Sequence, residues 1–549
     1  MRDSNMCLRA LAACLVLASM SLPPAQAAAR RLPASASRSM PQFVERNGHF
    51  ALMVDGAPFL ILGGQANNSS NYPSMLPKVW PAMEKLHANT LEIPVAWEQI
   101  EPAEGRFDFS YVDTLLKQAR AHGLRLVLLW FGAYKNTSPS YTPSWVKRDH
   151  ARFPHLVNSK GETWYALTPI AQATIDADSR AFAALMRHLK ENDPQRTVIL
   201  MQVENETGTY GSVRDFSPAA QTLFDAPVPE ALLRKFGKQP GTWSQVFGKD
   251  ADEFFYAWYM ARYVGKVAVA GKSEYPLPMY VNVALRDPIN DQDPNTYSSG
   301  GPEWNVLDIW KVAAPDIFLA APDIYEPKFD VVMAHIGRFK RPDNALLDVE
   351  IGNKPAHARY FFAILGNQGL GFGPFGMDYT GYANAPLGAG PMTDEGLAPF
   401  AANYALLGPW QREWAKLSFE NDVWGVAEPD DGHQQTISLG RWTATVTYGQ
   451  PQFGPTKPAP LAPDAAPSGG VLIARLGPDE FLLTGRDARV EFSLTEKTAD
   501  LHSMFDRVEE GRFENGKWVF DRMWNGDQTD WGLNLRALPQ VLKVSLATY

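Results

Sequence analysis

Cysteine is nearly absent from this 549-residue chain: Cys7 and Cys14 are the only two, and both lie near the N-terminus. If the leader described below is removed, neither a disulfide nor a Cys-ligated metal is open to the remainder. The ten His residues show no HExxH or comparable spacing, so no metal is called for. Long apolar runs are missing too, and no segment after the leader approaches the roughly 20 residues of a membrane span. The formal net charge is −9 without a block of like charges, which argues against a nucleic-acid phosphate track or an anionic membrane surface as partner. Repeats and low-complexity sequence are likewise lacking, so a structural envelope protein is the least fitting class.

What is present is ordinary globular composition, 45% hydrophobic and 20% charged, on a chain too long for one domain of typical size. A neutral substrate fits this balance. Aromatics reach 12% with 16 Trp, and their flat faces serve either core packing or stacking on sugars.

Residues 1–27 read as an export leader. Arg2 and Arg9 make a positive start, Leu11–Leu22 is largely apolar, and Ala25-Gln26-Ala27 is a small-x-small cleavage site. Leu11-Ala12-Ala13-Cys14 looks like a lipobox, but Cys14 sits inside the apolar stretch with Arg9 close upstream, so lipidation is not expected. Residues 28–40 read as a linker.

From Phe59 onward, short apolar runs alternate with longer helical patterns, as in repeated βα units around a parallel sheet. Eight such runs occur: Phe59–Gly64, Thr90–Trp97, Leu124–Trp130, Val198–Val203, Met279–Leu285, Ile317–Ile324, Ala345–Glu350 and Leu370–Phe375. Several are almost continuously apolar, which suits strands buried on both faces. Residues 41–412 therefore predict a (β/α)₈ TIM barrel, with Asp287–Glu303 as an insertion walling its mouth. After Trp410 the pattern becomes alternating strands with tight turns, among them Asn515-Gly516, and residues 413–549 predict a small all-β sandwich. Bracing the barrel is the favoured role for that sandwich, with carbohydrate binding as the alternative. A loop with six prolines between Pro451 and Pro467 is expected to be extended and exposed.

Catalytic residues of such barrels stand at the C-terminal ends of strands. Thr197–Val203 runs into Glu204-Asn205-Glu206, and Ala345–Val349 ends in Glu350, the fourth and seventh strands by this count. Two carboxyls facing each other across a bond are what glycoside hydrolysis requires: a proton for the leaving oxygen and a carboxylate against the anomeric centre. A lone strand-end Glu is weak support; the two together are much stronger.

Gln202-Val203-Glu204-Asn205-Glu206 followed by Thr207-Gly208 resembles the motif of glycoside hydrolase family 35, the β-galactosidases. Trp97 and Glu101-Pro102, with Gly105, Phe107 and Phe109, resemble that family's stretch after strand 2. The likeness covers roughly 50–380. The segment with Glu510-Gly511-Arg512-Phe513 and Asn525-Gly526-Asp527 is similar to the small domain of a bacterial branch associated with xyloglucan breakdown. The resemblance implies Glu206 as acid/base, Glu350 as nucleophile and Asn205 as a ligand of the sugar 2-hydroxyl, with no cofactor. It further implies exo-acting release of terminal β-galactose from xyloglucan oligosaccharides trimmed in the periplasm. An oligosaccharide is then the expected partner, and a homodimer stays open.

The chain departs from the family after strand 3, reading Phe131-Gly132-Ala133-Tyr134 and then Lys135-Asn136-Thr137. Lys135 and Asn136 either replace the usual sugar contacts or cap the loop. Gly64-Gln65-Ala66-Asn67 also differs at the first strand's end. Tyr325, after the sixth strand, either hydrogen-bonds Glu350 and keeps it ionised or packs under Pro327. Glu204, alternating with Glu206, points the same way if the strand continues, supporting the site from behind; the alternative is an ion-paired strand end. Trp97 and Trp304 are candidate sugar contacts, and Trp304, Trp130 and Trp145 are either stacking platforms or packing residues. Rival readings are another clan A retaining β-glycosidase, a glucanase or mannosidase, and a non-catalytic carbohydrate-binding protein.

Overall fold

The computed structural model describes residues 39–383, 390–449, 466–496, 500–536 and 538–549. The leader, nearly all of the linker and most of the proline-rich loop lie outside the described residues.

Three short antiparallel strands come first, β1 (Gln42–Arg46), β2 (His49–Val54) and β3 (Ala57–Phe59). Leu52, Val54 and Phe59 pack with Ile61, Val127, Ile199 and Leu347 from the barrel strands, so this small sheet closes one end of the barrel. Its strands are too short to stand out in the sequence.

The barrel strands are β4 (Ile61–Gln65), β5 (Thr90–Ala96), β6 (Arg125–Lys135), β9 (Val198–Asn205), β10 (Met279–Ala284), β11 (Leu319–Asp323), β12 (Asp348–Ile351) and β13 (Gly371–Pro374). A hairpin of β7 (His155–Val157) and β8 (Thr163–Leu167) sits in the connection after β6. All neighbours in the eight-stranded sheet are parallel, in the order β11-β10-β9-β6-β5-β4-β13-β12. Ile324 bridges Ile351 in parallel, donating to Glu350 O at 3.0 Å and accepting from Gly352 N at 2.9 Å, which closes the ring. Every one of the eight expected apolar runs supplies one of these strands. Their near-complete burial follows from having helices outside and side-chain layers within.

From Val423 the chain is antiparallel. A six-stranded sheet runs β14 (Val423–Ala427), β17 (Gly470–Arg475), β18 (Glu480–Arg486), β23 (Val541–Thr548), β20 (Ser503–Glu514), β21 (Lys517–Met523). A four-stranded one runs β15 (Gln435–Ser438), β16 (Trp442–Tyr448), β19 (Ala488–Leu494), β22 (Leu533–Leu535). Alternation sorts their faces: Val471, Ile473 and Leu483 meet Trp442, Val446 and Val490 inside the sandwich, whereas Leu472, Ala474 and Leu482 turn the other way into the barrel's own core. At that junction the helix Tyr360–Gly366 lies against β14 and β17. A Cβ at Gly366 would stand 1.9 Å from Gly425 N, and one at Gly425 would stand 2.2 Å from Phe362 O, so the two backbones touch there only because both residues are glycine. Among the described residues no helix is long and apolar enough to cross a membrane.

Candidate active site

A cleft of about 730 Å³ opens at the C-terminal ends of the barrel strands, and residues at or just beyond the ends of strands β4, β6, β9, β10, β11, β12 and β13 all reach it. Glu206 and Glu350 are both on its lining, as are Lys135, Asn136 and Tyr325.

Strand β9 is fully buried through Asn205 but loses regular geometry at its end, with φ of 62° at Glu204 and 46° at Glu206. Left-handed non-glycine residues cost of order 1–3 kcal/mol and persist where surroundings hold them. Here Gln202 Nε2 donates to Glu204 O at 3.0 Å, Glu206 N donates to Asn282 Oδ1 at 3.0 Å, and Thr137 N donates to Glu206 O at 3.0 Å. The irregularity also breaks the expected alternation. Glu204 is sealed away from the cleft, where its Oε2 accepts from Tyr134 N at 2.8 Å and where burial and the nearby Asp178 raise its proton affinity. It does not point with Glu206, because the strand does not continue regularly.

Glu350 collects three donors from three other strands. Tyr325 OH reaches Oε1 at 2.7 Å, Gln65 Nε2 reaches Oε2 at 2.9 Å, and Asn282 Nδ2 stands 3.4 Å from Oε2. Of the two arrangements open to Tyr325, the side chain takes the hydrogen-bonded one. Burial and the adjacent carboxylates push the Tyr325 phenol far up, so it stays protonated and donates. Lys135 is buried, with Nζ 2.7 Å from Asn205 Oδ1, in contact with Asn136 Oδ1, and 3.8 Å from Glu206 Oε2. Asn205 Nδ2 is buried without a partner among the described residues.

Single oxygens of Glu206, Asp323 and Glu350 lie within 4.8 Å of one another. Burial, partly offset by Lys135 and reinforced by Glu350, raises Glu206 to about 7. Asp323 is pushed well up by burial and by its two acidic neighbours. Deeper in the barrel, burial and then Glu350 and Asp348 push Glu92 well up, and neither of its oxygens has a partner among the described residues. The arrangement offers a protonated carboxyl near neutrality beside an oriented, hydrogen-bonded one.

The tryptophans are a correction. Trp97 is wholly buried, donating to Glu101 Oε2 at 3.0 Å and meeting Trp145 edge to face, so it supports the wall from behind and cannot touch a sugar in the cleft. Trp304 is off the lining as well. Arg338 lies over its ring at 4.1 Å and Arg286 at 4.9 Å, and these guanidinium contacts occupy it as a prop for the loop after β10. Trp130 gives its Nε1 to Asp178 at 2.9 Å in the core. The aromatic surface exposed to the cleft comes instead from Tyr210, Tyr325 and Phe375. Of the expected Asp287–Glu303 wall, Asp287, Pro288, Asn290 and Gln292 line the cleft.

Sequence reading passed over Asn282, which is linked to the backbone of Glu206 and to the carboxyls of Asp323 and Glu350. One signal could have found it: a lone amide in the apolar run Met279-Tyr280-Val281-Asn282-Val283, at a position buried on both faces, demands a polar purpose.

Residues 74–254, which include Glu206, match the family model described as Beta-galactosidase, glycoside hydrolase family 42, and residues 400–536 match a domain of unknown function, DUF5597. A β-galactosidase of Xanthomonas manihotis is 29% identical over 219 residues, 38% of this chain and 34% of that protein. The chain thus spans about a third of the length of the curated relative it matches. Solved structures similar to it include a β-galactosidase from Rahnella sp. R3, with TM-score 0.45, 14% identity and coverage of 66% of this chain and 61% of that one. Another is a β-galactosidase from Marinomonas ef1, with TM-score 0.46, 11% identity and coverage of 64% and 61%.

Proposed function

We propose that the chain is a retaining exo-β-galactosidase in which Glu350 is the nucleophile and Glu206 the acid/base. The observation that carries this reading is the spacing of two buried strand-end carboxyls: oxygens of Glu206 and Glu350 within 4.8 Å suit direct attack on the anomeric carbon. An inverting pair, by contrast, stands ~6.5–9.5 Å apart to admit a water.

Glu350, held by Tyr325, Gln65 and Asn282, attacks the anomeric carbon while Glu206 gives its proton to the departing oxygen. Forming the glycosyl ester removes the charge of Glu350, which lowers the proton affinity of Glu206 and turns it into the base that activates water. The second displacement restores the β configuration. Asn205 Nδ2 is a donor available to the sugar 2-hydroxyl, Lys135 and Asn136 edge the same pocket, and no cofactor takes part.

The motif at 202–208 favours family 35, while the match over 74–254 is to family 42; both descriptions are of β-galactosidases. The wall formed by Asp287–Gln292 would close one end of the pocket, as an exo-enzyme needs, and leave the aglycone side to a branched glucan such as xyloglucan. We assign catalysis to residues 41–412 and bracing to 413–549, in a protein exported to the periplasm.

Initial rates on a panel of nitrophenyl β-glycosides, with NMR of the first-formed anomer, test the assignment. Release of β-galactose is expected, with kcat/KM higher for galactosylated xyloglucan fragments than for lactose because backbone binding is spent in the transition state. Glucose or mannose as the released sugar would point to another clan A retaining enzyme. α-Galactose as the first product would overturn the double displacement, and no hydrolysis with retained sugar binding would favour a carbohydrate-binding protein.

A further inference from the structure

Asp323 closes β11 at the point where the cleft reaches its floor, 3% exposed, with a carboxyl oxygen near both Glu206 and Glu350. Its Oδ2 accepts from Asn282 Nδ2 at 2.8 Å, while Asn282 Oδ1 accepts from Glu206 N at 3.0 Å. One amide therefore locks Asp323 and the Glu206 backbone in a single frame. One Asp323 oxygen lies within 4.8 Å of an oxygen of Glu206, and a proton held between two buried carboxyls this near relieves the repulsion that two anions would feel.

We propose that Asp323 is a positioning residue for Glu206, a neutral acid whose O–H is donated to one Glu206 oxygen throughout the cycle. The inference rests on Glu206 being the acid/base. The asymmetry of the surroundings decides which partner keeps the proton. Lys135 stands 3.8 Å from Glu206 and stabilises its anion. Asp323 faces Glu206, Glu350 and the phenols of Tyr210, Tyr280 and Tyr325, and Lys135 is the cation acting on it. An anionic Asp323 would add a further negative charge beside Glu350, against a cost that burial makes large.

The donated bond does two things. While Glu206 is protonated, it occupies one of its oxygens and leaves the proton on the other, where the leaving group meets it. When that proton moves to the glycosidic oxygen, as the bond to the anomeric carbon breaks and its electron pair goes to that oxygen, the new Glu206 anion is already solvated by Asp323 O–H. Asp323 itself neither gains nor loses a proton.

Asp323→Asn and Asp323→Ala separate this role from a scaffold role. An asparagine offers Oδ1 to Asn282 and an N–H to Glu206, so Asp323→Asn is expected to keep kcat/KM within about threefold of wild type and to leave the basic limb of its pH profile in place. Asp323→Ala is expected to lose about 10- to 100-fold on lactose, the worth of one hydrogen bond to a charged group, and far less on a dinitrophenyl galactoside. A basic limb displaced downward by a unit or more in Asp323→Asn would mean that Asp323 is an anion and would overturn the proposal. So would equal losses in the two variants, equal losses of Asp323→Ala on both substrates, or activity removed by a chelator and restored by a divalent cation. The premise fails separately: if Glu206→Gln shows no dependence on leaving group, Glu206 is not the acid, whatever Asp323 does.

Discussion

Two buried acid pairs flank the end of β9, and they differ in almost everything except burial. On the closed side Glu204 is paired with Asp178, whose negative charge raises its proton affinity; on the cleft side Glu206 has an oxygen within 4.8 Å of one of Asp323. Desolvation is the first cause of raised proton affinity in both Glu204 and Glu206. On the closed side the donors are fixed and structural: Trp130 Nε1, Ala133 N and Tyr263 OH to Asp178 at 2.9, 3.1 and 2.7 Å, and Tyr134 N to Glu204. That pair anchors the end of β6, which carries Lys135. On the cleft side Glu206 has Lys135 at 3.8 Å, the Glu350 carboxylate within 4.8 Å and an opening to solvent. A perturbed acid becomes chemically useful when a proton has somewhere to go and a second charge changes during the reaction. Burial alone supplies neither.

The largest effect that would break this contrast belongs to Glu350→Gln. It should cut kcat by about 10⁴-fold or more on every glycoside, since an amide cannot form the ester; initial rates within tenfold of wild type would remove Glu350 from the mechanism. Next comes Glu206→Gln, expected to lose about 10²- to 10⁴-fold on unactivated galactosides but little on dinitrophenyl ones. For the wild type the sign follows from the acid being the protonated form: kcat/KM should fall as pH rises through about 7, the value to which burial lifts Glu206. Glu204→Gln sharpens the comparison from the other side. It should cost about 1–3 kcal/mol in denaturant unfolding by disrupting a sealed hydrogen-bond set, yet leave that pH limb where it is. The smallest effect is expected for Trp304→Phe, where kcat/KM should stay within about threefold because the indole props a loop under two guanidinium groups and is not on the cleft lining.

How far the sequence carries depends on whether a feature is local. The barrel strands are legible because each is a short apolar run, and Glu206 and Glu350 are legible because strand ends are where a barrel exposes chemistry. Tyr325 was reachable by the same logic. The direction of Glu204 stayed open in the sequence because its left-handed backbone, set by Gln202, Asn282 and the β6 loop together, is invisible to an alternation rule. Trp97 was misread because its partner Glu101, one helical turn on, satisfies the indole inside the wall. The convergence of Gln65, Asn282, Asp323 and Tyr325 on two carboxyls comes from ring closure, which joins β4, β10 and β11 across the chain; no spacing in the sequence encodes it.

The glycine contact between Gly366 and Gly425 carries a consequence for how the molecule comes apart. Because the sandwich sheet lends Leu472, Ala474 and Leu482 to the barrel's apolar core, neither module owns all of its interior. Heating should therefore produce one calorimetric transition, with the van't Hoff and calorimetric enthalpies in agreement, in place of the separate melting of a catalytic unit and an appendage. A barrel truncated before Val423 would expose the helix Tyr360–Gly366 to water and aggregate through it, so the sandwich belongs to the folding unit whatever it does for the substrate.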